Sequence, residues 1–290
     1  MTMHSTPLEM SRRESAPSDG VVAVLGGTGK TGRRVTQRLH DLGVPVRAVS
    51  RSTTPRFEWE DESTWGPVLE GAAAVYVAYA PDLAVPGAPE VVTRLAARAR
   101  DAGVRRLVML TGRGEEEAQR AERLVAEVFP GRTVVRAAFF AQNFSESFLL
   151  DPVRAGSLAL PVDDVGEPFV DLEDVADVAV AALTDERHAG ETYELTGPRL
   201  LTFADVVDEI SAASGREVAF VPIGMEDFTA GLAAVGVPDV EVDLLRYLFT
   251  EVLDGRGAFV TDGVQRVLGR PARDVHEYAQ REAAAWRAAS

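Results

Sequence analysis

Residues 24–35 read Val24-Leu25-Gly26-Gly27-Thr28-Gly29-Lys30-Thr31-Gly32-Arg33-Arg34-Val35. Gly26, Gly29 and Gly32 recur at every third position, and Gly27, Gly29 and Gly32 also satisfy the G-x-G-x-x-G spacing. The short apolar run Val21–Leu25 leads in and predicts a buried strand. A helical pattern leads out, with Val35, Leu39 and Leu42 on one face and Gly43 closing it; a second strand is expected at Val46–Ser50. In such a strand–turn–helix–strand unit each glycine has its own task. One permits the tight turn, one lets the backbone approach a pyrophosphate, and one lets the helix lie against the sheet. The helix N-terminus then offers unpaired N–H groups and a positive dipole end to phosphate. The context, more than the spacing alone, predicts a dinucleotide-binding turn.

Working outward, strands and helices alternate. A weak strand is expected at Arg56–Trp59, a strong one at Ala73–Tyr79, a helix at Glu90–Ala102, a strand at Arg106–Leu110, a helix at Glu115–Val128 and a strand at Arg132–Arg136. This order predicts an α/β protein with a doubly wound parallel sheet of Rossmann type. After Phe140 the rhythm changes. A helix is expected at Glu173–Leu183, a strand at Thr192–Leu195, a helix capped by Thr202 with the stripe Phe203, Val206, Val207 and Ile210, and a strand at Glu217–Val221. From Gly224 onward the chain reads as helix, broken near Gly236–Pro238 and Gly255–Gly257. The expected organisation is a disordered polar tail over 1–19, an NAD(P)-binding domain over 20–150, and a smaller, mostly helical substrate lobe over 151–290 packed on the first.

Composition narrows the function. The 290 residues carry a formal charge of −15, which repels a phosphate backbone and argues against nucleic acid or an anionic membrane as partner. The absence of cysteine excludes disulfides, a thiolate nucleophile and Cys-ligated zinc. The longest apolar run, Ala72–Ala80, falls far short of the ~20 residues of a membrane span. His4, His40, His188 and His276 lack metal-ligand spacing, so no metal is expected. These features fit a cytoplasmic protein acting on a small molecule, as a monomer or homodimer.

The end of the second strand bears on the cofactor. NAD-specific domains place Asp or Glu there for the ribose 2′-hydroxyl, whereas NADP-specific ones place Arg. Here the chain reads Ala48-Val49-Ser50-Arg51-Ser52, with no carboxylate before Glu58. Arg51 with Ser50 or Ser52 suits a 2′-phosphate, so NADP(H) is the expected cofactor. The competing reading makes Arg51 one more surface arginine in a chain whose sole lysine is Lys30. Lys30, inside the turn, is either a phosphate contact or solvated.

The glycine turn, the early Arg51, and the segment Arg136-Ala137-Ala138-Phe139-Phe140-Ala141-Gln142-Asn143-Phe144 resemble the NmrA-like branch of atypical short-chain dehydrogenases. Ala137 stands where that family typically has proline, and Gln142 where it has glutamate. Within the branch, Phe57-Glu58-Trp59-Glu60-Asp61 and Gly197-Pro198-Arg199-Leu200-Leu201-Thr202 are similar to the festuclavine synthase and agroclavine dehydrogenase subgroup. The resemblance runs from about residue 21 to about 285. It implies that Gly26, Thr28, Gly29, Lys30, Thr31 and Gly32 line the pyrophosphate and that Arg51 meets the adenosine phosphate. It also implies that Ala78, Tyr79 and Ala80 pass along the ribose and that Thr111 stands where ordinary members carry a catalytic serine. Phe139 and Phe140 would lie against the nicotinamide or substrate, with Asn143 touching either.

The family's usual Tyr-x-x-x-Lys cannot exist here, because the only lysine is Lys30. The remaining candidate proton donors are Tyr79 and Thr111, each with a bland alternative as packed aromatic or turn residue. Phe139, Phe140 and Phe144 read either as an aromatic wall for a flat substrate or as core; Tyr247 is a further substrate candidate on a lobe helix. The expected function is an NADPH-dependent oxidoreductase passing hydride to a planar electrophile such as a quinone, iminium ion or enone. The alternatives are a non-catalytic NADP-binding regulator and a redox-neutral isomerase or lyase that retains its nucleotide.

Overall fold

The computed structural model describes residues 20–287; the tail expected over Met1–Asp19 lies outside them. From the N-terminal side, β1 (Val21–Leu25) feeds the glycine turn into α1 (Lys30–Asp41), and the chain returns as β2 (Val46–Val49). The short α2 (Trp65–Leu69) precedes β3 (Ala72–Val77), followed by α3 (Ala88–Asp101), β4 (Arg106–Gly112), α4 (Glu116–Val128) and β5 (Thr133–Ala137). Next come α5 (Asn143–Glu146), α6 (Leu150–Ala155), β6 (Ser157–Leu160), α7 (Leu172–Thr184) and β7 (Thr192–Leu195). The chain continues as α8 (Phe203–Ser214), β8 (Ala219–Pro222), α9 (Met225–Ala234), α10 (Asp239–Tyr247), α11 (Gly263–Leu268) and α12 (Val275–Glu282).

Six of the strands pair in parallel in the order β2-β1-β3-β4-β5-β7. Alternate residues of each strand face opposite sides, so the sheet builds two apolar layers. Ala23, Leu25, Val75, Val77, Leu107 and Met109 pack under α2, α3 and α4. Val22, Val24, Ala74, Tyr76, Val108 and Val135 pack against α1, α7 and α11. This is the doubly wound sheet that the alternation predicts. The strand order reverses between β1 and β3, which opens a crevice at their carboxyl ends, where ligands bind in such sheets.

Three expectations change. Arg56–Trp59 does not join the sheet; the Glu58 carbonyl accepts from the Trp65 indole N–H and the Glu58 N–H donates to Thr64 Oγ1. The Phe57 N–H donates to the Ser50 carbonyl at 3.0 Å, so these backbone groups find partners in the loop, outside the sheet. Leu42 is 63% exposed, because α1 has ended and only Val35 and Leu39 turn inward. The division at residue 150 does not follow the packing. α7 and β7 lie beyond 150 yet belong to the sheet and its covering layer.

The second-half elements other than α7, β7 and α11 form a separate core, with β6 and β8 paired in parallel. The strand β6 is absent from the sequence reading. Thr202 caps α8 in a full capping box with Asp205. Helix breaks occur at Gly236 and Gly255, both at positive φ.

Phe144 sits at the centre of this second core, 0% exposed, with ring contacts to Phe169 and Phe203. Phe144→Ala should cost ~3–5 kcal/mol, the usual price of emptying a buried aromatic site. Denaturant unfolding measures it; a loss below about 1 kcal/mol would mean the cavity collapses or the ring is dispensable.

Candidate functional site

The glycine turn leaves β1 at Gly26, whose φ is +70°, a conformation that favours glycine. Each of the other turn glycines has a different neighbour. A Cβ on Gly32 would stand 2.2 Å from the Gly26 carbonyl oxygen, so α1 can cross the turn only as glycine. A Cβ on Gly27 would meet the Ala48 methyl at 2.8 Å, so β2 lies tight against the turn. Gly29 is exposed, its Cβ position reaching only the Gly26 carbonyl at 3.2 Å. It is the N-cap of α1 and no side chain caps that helix. This is the surface a pyrophosphate needs: backbone open to solvent at a helix N-terminus. Thr28 is exposed beside it, whereas Thr31 is buried.

Lys30 does not point freely to water. Its Nζ donates to Asn143 Oδ1 at 2.6 Å and lies 5.9 Å from the centroid of the Phe140 ring, and burial lowers its pKa. The lysine thus ties the turn to the start of α5. At the end of β2, Ser50, Arg51 and Ser52 form a compact turn in which the Ser50 and Ser52 hydroxyls lie 3.2 Å apart. Arg51 is exposed and has no carboxylate partner among the described residues.

The carboxyl ends of β3, β4 and β5 open into a cavity of about 180 Å³. Tyr79, Thr111, Phe139, Phe140 and Asn143 all line it, and the lobe closes it with Leu248, Val252 and Leu253. Tyr79 is half-buried and packs against Trp59, the rings tilted by 46° with centroids 4.8 Å apart. The segment Phe57–Asp61 therefore buttresses Tyr79 as a loop. Ala78 turns its carbonyl toward Gly26, and Ala80 is exposed. The Thr111 hydroxyl donates to Glu122 at 2.7 Å.

No family model matches the chain. An NAD(P)H azoreductase of Xenophilus azovorans is 30% identical over 291 residues, covering 93% of this chain and 100% of that one. Agroclavine dehydrogenase of Claviceps fusiformis is 28% identical over 288 residues, covering 91% and 98%. The chain belongs to the NmrA-like atypical short-chain dehydrogenases. An Escherichia coli NADPH-dependent quinone oxidoreductase complexed with NADPH shares the fold, with a TM-score of 0.76 at 20% identity, covering 90% of this chain and 99% of that one.

Two expected substrate residues of this NmrA-like chain lie elsewhere. Phe144 is core, as described above. Tyr247 is not part of the cavity wall; its hydroxyl accepts the backbone N–H of Glu116 at 3.3 Å and pins α10 to the start of α4. The segment that carries the family resemblance is itself partly structural. Gln142 donates to Asp171 at 2.6 Å and accepts the Leu172 N–H, fixing the first turn of α7. Arg136 pairs with Glu122 and Glu194.

The sequence reading missed the acidic side of the cavity. Asp82, Glu115 and Glu167 all line it, along with Arg113. Burial pushes the Glu167 carboxyl up to about 7, although it accepts the Phe139 N–H at 3.1 Å and lies near Arg113. The Arg113 guanidinium donates to the Gly257 carbonyl at 2.6 Å and stacks on Phe259 at 3.9 Å. Glu115 reads in sequence as a solvated helix start, an N-terminal carboxylate favoured by the dipole. It is instead 6% exposed, its carboxyl folded over Gly112. Gly112, the last residue of β4, was the available signal, since only glycine leaves room there for the Glu115 carboxyl.

Proposed function

We propose that this protein is an NADPH-dependent reductase that passes hydride to a planar, electrophilic small molecule held in the cavity beyond β3–β5. The observation that carries the reading is the adjacency of two features: an open glycine turn at a bare helix N-terminus, and an aromatic-walled cavity at the same edge of the sheet. The NAD(P)H-linked names of the relatives support the cofactor class.

In this reading the backbone of Gly26–Thr31 and the N-terminus of α1 hold the pyrophosphate. Arg51, with Ser50 or Ser52, holds the 2′-phosphate. Ala78–Ala80 and Thr111 border the ribose, and Phe139 lies near the nicotinamide. The bound cofactor supplies hydride; the chain orients the partners and limits water at the reacting carbon. Phe140, Asn143 and the lobe residues Leu248 and Val252 shape the space left for a flat acceptor. The lobe residues beyond about residue 150 then set substrate choice together with Phe140 and Asn143. The acidic balance supports a small-molecule partner over nucleic acid.

NADPH consumption against a panel of quinones, cyclic iminium ions, enones and simple ketones tests the proposal. Turnover with the conjugated acceptors and little with the simple ketones is the expected result. Nucleotide binding without turnover on any of them would favour an NADP-binding regulator. Turnover with no net change in NADPH absorbance would favour an isomerase or lyase. Tyr79→Phe should cost less than about a hundredfold in turnover, the low end of what a general acid contributes. A larger loss, with a simple ketone as a good substrate, would make Tyr79 the proton donor.

A further inference from the structure

We infer that Asp82 and Glu115 hold one proton between them and present it to the cavity as the proton source for neutral conjugated acceptors. The inference rests on the reductase reading above and names the acid that the missing Tyr–Lys pair would otherwise supply.

The two residues reach the cavity from different elements. Asp82 follows β3, and Glu115 immediately precedes α4. Their carboxyls lie within hydrogen-bonding reach of each other, and both line the cavity. Two carboxylates at that separation cannot both ionise cheaply, so a bridging proton is the low-energy state. Glu115 Oε2 is buried and has no hydrogen-bond partner among the described residues. An orphan oxygen on a buried side chain is costly unless something meets it. A proton on the pair, or a substrate atom in the cavity, meets that need.

The surroundings keep the proton in place. Burial first, and then Asp82 and the charge of Glu122, push the Glu115 carboxyl well above its ordinary range; burial does the same for Asp82. The Ala84 N–H donates to Asp82 at 2.8 Å and marks it as the partner that more readily carries the negative charge. Glu122 is committed to Arg136 and to the Thr111 hydroxyl, so it competes poorly for the proton. Tyr247 and Glu116 face the pair from α10 and the first turn of α4, and Arg113 with Glu167 forms another part of the wall.

The step balances simply. The acceptor takes hydride, with its electron pair, at one end of a conjugated π bond, and that bond breaks. The oxygen or nitrogen at the other end takes the shared proton. The carboxyl O–H bond breaks as the new O–H or N–H bond forms, leaving both carboxyls ionised until water returns a proton. An iminium ion becomes neutral on accepting hydride and needs no such proton.

Three measurements test this. First, difference infrared spectra of the unliganded protein at pH 7 should contain, besides the contribution of Glu167, the C=O stretch of a second protonated carboxyl, a band that titrates away at higher pH, is lost in Glu115→Gln and persists in Glu167→Gln. Second, turnover of an enone should fall by about tenfold per pH unit above the pair's upper transition. Third, Glu115→Gln should cost about 100-fold or more on that enone, within the range for a general acid, and at least tenfold less on a preformed iminium ion. Asp82→Asn, which removes the proton-sharing partner from the other side, should shift the infrared titration. Absence of the band overturns the shared proton. A band with unchanged enone turnover in Glu115→Gln overturns its delivery. If the wild type binds NADPH yet reduces none of the acceptors, the reductase reading fails, while the infrared result still decides the shared proton.

Discussion

Gly29→Val should lower NADPH affinity by about 100-fold or more while leaving the unfolding midpoint close to that of the wild type. Gly29 is exposed at the N-cap of α1, and its Cβ position meets only the Gly26 carbonyl at 3.2 Å. The Gly26 carbonyl need give by only a few tenths of an ångström to admit a Cβ there, and the rest of that side is open. A pyrophosphate bound at the helix N-terminus does not, because it needs the backbone N–H groups within hydrogen-bonding distance. Two methyls there displace it from several contacts at once, each charge-assisted and worth ~1.5–3 kcal/mol. Gly32→Ala is the informative contrast. Its Cβ would stand 2.2 Å from the Gly26 oxygen, so α1 must shift and stability should fall by ~1–3 kcal/mol as for other overpacked sites. Calorimetry and thermal unfolding separate the two. Wild-type affinity in Gly29→Val would make the turn a structural element only.

Arg51→Ala should weaken NADPH by about 10- to 100-fold and leave NADH within about threefold, since a hydrogen bond to a charged group contributes ~1.5–3 kcal/mol and each 1.4 is tenfold. Arg51 is exposed, unpaired with any carboxylate among the described residues, and carried on the turn that also holds Ser50 and Ser52. A free guanidinium keeps its hydrogen-bonding capacity for a phosphate, and its planar fork matches phosphate oxygens in pairs. The contribution is partly screened at such an exposed position, so the discrimination should shrink in high salt. Equal losses for the two nucleotides would show that Arg51 does not read the 2′-phosphate.

What could be read along the chain was whatever local geometry determines. The glycines at 26, 29 and 32 announce their task because a positive φ disfavours a Cβ at the first, a close helix crossing excludes one at the third, and an approaching phosphate asks for bare backbone at the second. The alternating sheet follows from periodicity, and the cap at Thr202 and the chain breaks at Gly236 and Gly255 follow from side-chain and dihedral preferences. The absence of a Tyr-x-x-x-Lys needs only the sequence, since Lys30 is the one lysine.

Tertiary structure decided the rest, because it joins residues that no period connects. Phe139, Phe140 and Phe144 look alike in sequence. Only the fold of α5 onto the second core sends Phe144 inward while the other two border the cavity. The Trp59 segment resembles a strand until Thr64 and Trp65 satisfy its backbone. Asp82 and Glu115 are ordinary surface letters in the sequence. They become a proton-sharing pair because β3 and β4 are neighbours in the sheet, which brings the segments after both to one edge, and because Gly112 leaves space for a carboxyl to fold back into a water-poor cavity.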